Sequence, residues 1–149
     1  ARMTEAEKGR LSLIVFSGDY DRVHYALAMA AASVATARPV TLLFTMGAVR
    51  ALAGPDSDGI PGWAALSPSN NGQDPASRDA AHAASGVATL EEMFDACAEL
   101  GAIFQVCEMG MTAEGIAHED LRMDLNIAPG GLVGFLAEAE RDGGQVVFI

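Results

Sequence analysis

Cysteine is scarce in this sequence. Two residues, Cys97 and Cys107, stand in a chain of 149. They form no C-x-x-C pair, so a dithiol redox motif and a disulfide-stapled scaffold are both excluded. No apolar run approaches a membrane span. The opening stretch, Ala1 to Arg10, is polar and lacks the apolar segment of a secretory signal. These absences make the cytoplasm, where thiols stay reduced, the expected compartment. Positive charge is short as well: nine Lys and Arg face twenty Asp and Glu, a formal net charge of −11. No Lys or Arg stripe opposes that field locally, so nucleic acid is not an expected partner. The same field mildly opposes small anionic substrates. Neither G-x-G-x-x-G nor a P-loop is present. His24, His82 and His118 have no metal-ligand spacing, and no Ser–His–Asp triad can be assembled. No cofactor and no metal site is expected.

What is present fits one globular domain with a slight apolar excess, which suits apolar surface buried between subunits. Residues 1–10 read as a disordered lead and 11–149 as a single domain. Leu11 to Phe16 is an apolar run bounded by Ser17-Gly18-Asp19, the pattern of a strand buried on both faces. From Tyr20 to Arg38 apolar residues recur at helical spacing in an Ala-rich stretch, with Asp19 as N-cap. Pro39 ends that helix, and Val40 to Phe44 is a second strand, completing a parallel βαβ unit. Thr45 to Ala53 turns into a short helix. Gly54 to about Ser85 carries Pro55, Pro61, Pro68 and Pro75 among many Ser, Asn, Asp and Gly, and reads as a long loop over a site or a surface insertion.

Thr89-Leu90-Glu91-Glu92 opens a helix with a capping-box pattern, and Gly101 closes it. Ala102 to Cys107 is a third strand, followed by a short helical stretch from about Met111 to His118. Leu125 to Ile127 suggests a fourth strand. Pro129 marks the start of the next helix, and Gln145 to Ile149 is the last strand. Strands alternating with helices define a three-layer α/β/α sandwich with a mainly parallel sheet of about five strands.

In such sheets functional groups collect at the carboxyl ends of the strands. Three loops qualify: Ser17-Gly18-Asp19, Thr45 to Gly47, and Cys107-Glu108-Met109-Gly110-Met111. Cys97 lies on the apolar stripe of its helix and reads as an inert, buried thiol. Cys107 ends a strand just before a helix start. There a thiol is either exposed, with backbone N–H groups favouring its thiolate, or packed as a core residue. The two lie at opposite edges of the sheet, separated by about 16 Å of strand, at ~3.3 Å per residue, against ~6 Å of return along the helix. That gap exceeds disulfide reach. Thiolate and thioether also suit Cu(I), but Cys107, Met109 and Met111 alternate on a turn with no further Cys or His fixed nearby.

Three stretches resemble the DsrE/DsrF-like (DsrEFH/TusD-type) sulfur-relay family and its peroxiredoxin-like branch. They are Ile14 to Arg22 with the Ala-rich helix, Val40 to Thr45, and Ala98 to Gly101 with the strand leading to Cys107-Glu108-Met109-Gly110-Met111 and Gly115. Gly130-Gly131 through Phe148-Ile149 matches the family's closing pattern. Met46 and Gly47 depart from it, where relatives often place aromatics, as do residues 54–85, which lack a Met-rich stretch. The resemblance implies a homo-oligomer, trimer or hexamer, and a sulfurtransferase-type carrier. In that reading Cys107 holds sulfane sulfur, and the partners are donor or acceptor proteins with reactive thiols. The residues expected around it are Ser17, Gly18, Asp19, Thr45, Glu108, Met109, Gly110 and Met111. A non-catalytic oligomeric assembly and a small-ligand binding subunit are the alternatives.

Overall fold

The structure is a computed structural model that describes residues 9–141 and 143–149. Five strands form one all-parallel sheet in the order β4-β3-β2-β1-β5. They are β1 (Leu11–Val15), β2 (Val40–Phe44), β3 (Ile103–Cys107), β4 (Ile127–Gly130) and β5 (Gln145–Phe148). The helices are α1 (Tyr20–Ala35), α2 (Pro75–Ala84), α3 (Leu90–Glu99), α4 (Glu108–Glu114) and α5 (Leu132–Arg141), with 3-10 turns at Met46–Leu52, Gly62–Ala65 and His118–Asp120. The expected α/β sandwich is therefore present.

Topology dictates how the faces are covered. The connections β1 to β2 to β3 to β4 all step the same way across the sheet. Right-handed crossovers then place their helices on one face. The step from β4 to β5 runs back past β3, β2 and β1, so α5 belongs on the other face. The packing agrees. Leu13, Val15, Leu42, Phe44, Phe104 and Val106 join α1 and α3 residues, among them Leu27 and Phe94, in the main core. Leu43, Cys107 and Phe135 of α5 form a small second cluster with Ile14 against it. One ten-residue helix does not cover five strands. Phe16, Ile103, Val146 and Phe148 stay exposed, as do Leu132, Val133 and Leu136 of α5.

Four segments differ from the sequence reading. The expected disordered lead falls largely on residues outside those described, but Gly9 and Arg10 are tied to the sheet's amino edge. The Gly9 carbonyl accepts from Arg38 Nε at 2.8 Å, and the Arg10 carbonyl from the Gln145 amide at 3.0 Å. The 54–85 segment is not a featureless loop. Asp74 caps α2 by accepting from the Ser77 amide at 2.9 Å, and Pro75 takes the first helical position, where its missing N–H is harmless. The helix expected from Met111 starts earlier, directly after Cys107. Pro129 lies inside β4 rather than opening α5; β4 pairs only with β3, and an edge strand tolerates a residue with no N–H to donate.

Glycine sets the spacing at the carboxyl edge. A Cβ at Gly18 would stand 3.1 Å from the Gly47 Cα, and one at Gly110 would lie against the Met46 nitrogen and 3.0 Å from the Thr45 Cα. Rigid backbone cannot give way as a side-chain tip can. Gly110→Ala is expected to lower unfolding stability by about 2–4 kcal/mol, the upper range for overpacking, read from urea denaturation midpoints.

Candidate functional site

The three carboxyl-edge loops are brought together, but they leave little open space between them. Ser17, Gly18 and Asp19 are engaged structurally. Ser17 Oγ donates to Asp19 Oδ2 at 2.8 Å, and Asp19 caps α1 by accepting from the Arg22 amide at 2.8 Å. The Gly18 carbonyl accepts from the Ser67 amide at 2.8 Å, so the 54–85 segment seals this loop. Met46 follows Thr45 with φ +48°, a left-handed conformation unusual for a side-chain-bearing residue. Arg50 in the next turn pairs with Glu114 of α4 at 3.1 Å, locking the second loop to the third.

Cys107 ends β3 and stands as the N-cap position of α4, with no side-chain capping bond. The exposed alternative for this thiol does not hold: the residue is 4% exposed and packs with Leu43 and Phe135. Its cover on that side is a single helix. Thr45 follows β2 as Cys107 ends β3. Continuing the β2–β3 register by one step sets the two side by side, and strand alternation puts their side chains on the α5 face. The Thr45 hydroxyl is buried without a hydrogen-bond partner. Glu108 engages His118, Oε1 to Nε2 at 2.6 Å, with both side chains exposed. Met109 faces solvent, whereas Gly110 and Met111 are buried and Met111 joins the main core. Among the described residues no group of three or more His, Cys, Asp and Glu is placed to hold a metal ion.

Cys97 is a different kind of thiol. It is fully buried in α3, its sulfur donates to the Leu27 carbonyl at 3.7 Å, and burial pushes its pKa up to about 11. It is a packing residue, as its place on the apolar stripe implied.

A polar cluster that sequence reasoning did not assemble docks α2 on α1. The Tyr20 hydroxyl donates to Asp79 Oδ1 at 2.6 Å, and the same oxygen accepts from the Leu90 amide at 2.9 Å. Burial, then the Asp79 carboxylate, holds the Tyr20 hydroxyl protonated far above its ordinary range. The His24 and His82 rings stack with centroids 4.4 Å apart, and His24 Nε2 lies 2.9 Å from the Ala88 carbonyl. Ser69 and the Asn70 amide hold Asp21 at 2.7 and 2.8 Å. On the far side of α3, Glu91 accepts from Trp63 Nε1 at 2.9 Å and from Arg122 Nη2 at 2.7 Å, and Arg122 lies 4.7 Å over the Phe94 ring. These contacts anchor the long connection rather than perform chemistry.

No family model and no curated protein matches the chain. A solved structure, protein MTH1491 of unknown function from Methanobacterium thermoautotrophicum, matches with a TM-score of 0.59 over 95% of this chain and 100% of that one, at 13% identity. At that identity the likeness establishes the α/β fold and carries no activity. Among the described residues no helix is long and apolar enough to cross a membrane.

Two outcomes are expected. In the folded protein, an alkylating reagent modifies Cys107 slowly and Cys97 more slowly still. Phe135→Ala raises the Cys107 rate by about tenfold or more by uncovering the sulfur, measured by peptide mass spectrometry on samples still folded by circular dichroism. The second concerns pH. Burial, then neighbouring His24 and Arg78, hold the His82 pKa below its ordinary 6.5, against weaker opposing pulls from Asp79 and Asp21. The unfolded chain therefore binds the proton more readily, and stability falls as pH drops through 6.5. His82→Gln should shrink the difference between denaturation midpoints measured above and below that pH.

Proposed function

We propose that the protein is a sulfur carrier of the DsrE-like type, with Cys107 as the carrying residue. The observation that supports it most is the pairing of a buried thiol with a buried, unpartnered Thr45 hydroxyl at the carboxyl ends of two central strands. An orphaned hydroxyl beside a sulfur is a ready donor to an anionic or sulfane sulfur atom. Glu108, bound by His118, has a partner other than the thiol.

The chemistry balances without an external oxidant. The Cys107 thiolate attacks the outer sulfur of a donor persulfide. One S–S bond forms and one breaks, the donor leaves as its thiolate, and the proton stays on the transferred sulfur. An acceptor thiolate then repeats the exchange in the other direction. The 4% exposure of Cys107 requires Phe135 to move aside during loading. The partners in this reading are proteins with reactive thiols, and the compartment is the cytoplasm.

A second reading is an assembly role, and the uncovered apolar face favours it. Val133 is 88% exposed, and Phe16 and Phe148, with ring centroids 5.3 Å apart, stand beside Val146 on the same side. A homo-oligomer, trimer or hexamer, would bury such a surface.

Incubation with a low-molecular-weight persulfide should add the mass of one sulfur atom to the intact protein. Cys107→Ser should abolish the gain, Cys97→Ser should not, and Thr45→Val should reduce it. An unchanged mass, or an equal gain without Cys107, would refute the carrier and leave the assembly role.

A further inference from the structure

Below the Cys107 cluster, toward the amino edge of the sheet, lies a cavity of about 480 Å³ between the strands and α5. Arg10, Ser12, Thr41, Gln105, Gly130, Gly134 and Glu138 contribute to its lining. The room is created by absent side chains. A Cβ at Gly134 would meet nothing within 4 Å, although this glycine sits inside a helix, where it is unfavourable. A packing defect in an apolar core would be lined by apolar groups. This cleft has apolar walls in Ile103, Pro129 and Phe135, but three of its polar lining residues carry an atom without a partner. Ser12 is 1% exposed and its hydroxyl has none, and neither have Arg10 Nε and Gln105 Oε1, both buried. Leaving such atoms unsatisfied is costly unless something else meets them.

We infer that this cavity binds a short carboxylate carrying an adjacent hydroxyl or ammonium group. The donors gather at one pole. Ser12 and Thr41 are register partners on β1 and β2, and Arg10 Nη1 donates to Thr41 Oγ1 at 3.1 Å, while Arg10 Nε is buried without a partner. Thr41, 5% exposed, retains its hydroxyl proton to give. The acceptor pole is Gln105 Oε1, one cross-strand row further on, since Gln105 pairs with Leu43 rather than Thr41. One strand spacing and two residue steps put the poles ~8 Å apart at the backbone, the span of a small molecule and its hydrogen bonds. A guanidinium with two hydroxyls suits a carboxylate, and an unpaired amide oxygen demands a donor from the ligand. The anionic wall residue, Glu138, is already held by Arg141 at 3.1 Å, which limits its repulsion.

L-lactate serves as the probe, with propane-1,2-diol as the same skeleton lacking the carboxylate. In amide NMR spectra, millimolar L-lactate should give saturable shifts confined to Ser12, Thr41, Gln105 and the residues from Gly130 to Phe135, and the diol should give none. Arg10→Gln and Gly134→Met should each weaken binding by about tenfold or more, Gly134→Met without lowering the denaturation midpoint. Absence of saturable shifts, equal shifts with the diol, or binding retained in both variants would overturn the assignment. Sulfur loading depends on Cys107 and probe binding on Arg10, so the two readings fail separately.

Discussion

Backbone lying directly on backbone at the carboxyl edge of the sheet is the constraint on which the rest of this molecule depends. Gly18 meets Gly47, and Gly110 meets the Thr45–Met46 peptide, at distances that leave no room for a Cβ. Three loops from three neighbouring strands are thereby fixed to one another. Met46 accepts a left-handed backbone to make the fit, a strain of about 1 kcal/mol or more that the surrounding contacts must hold in place. The Arg50–Glu114 pair then closes the outer side. Because the loops cannot separate, Thr45 and Cys107 hold fixed positions at the ends of their strands. The edge that such folds commonly use as a crevice is filled by the chain itself.

The reversal of direction between β4 and β5 has a second effect. It sends one helix alone to the far face of the sheet, so that face is thinly covered. On that face lie three features: the thiol and the cleft beneath the helix, and the apolar surface that it leaves exposed. Phe135 links the first two, for it packs on Cys107 and also lines the cavity. Any displacement of α5 therefore acts on both. On the opposite face the core is continuous, and Cys97 lies fully buried within it, its thiol held protonated by that burial.

The fold was legible in the sequence because buried parallel strands announce themselves as apolar runs, and α1 and α3 carry strong helical spacing with side-chain caps. α2 was not, since the density of Pro, Asn and Gly around it masked a valid start signal in Asp74-Pro75. β4 was displaced for a related reason: Pro129 looks like a helix opener unless the strand is known to lie at an edge. The candidate loops were correctly placed at one edge of the sheet, yet the burial of Cys107 stood only as one of two alternatives. It depends on Phe135, a residue 28 positions away on a helix whose side of the sheet is set by topology. The cavity was hidden. Arg10, Ser12, Thr41 and Gln105 come from four separate segments, and only strand register aligns them.

The pairing of β1 with β5 joins residues 11–14 to residues 145–148. A ribosome making this chain releases β1 more than a hundred residues before β5. Throughout that interval one side of β1 offers unsatisfied amides and carbonyls to any passing strand. Such a long-range closure is slow by nature and exposes the nascent protein to mispairing. Factors that shield nascent chains would act in that interval.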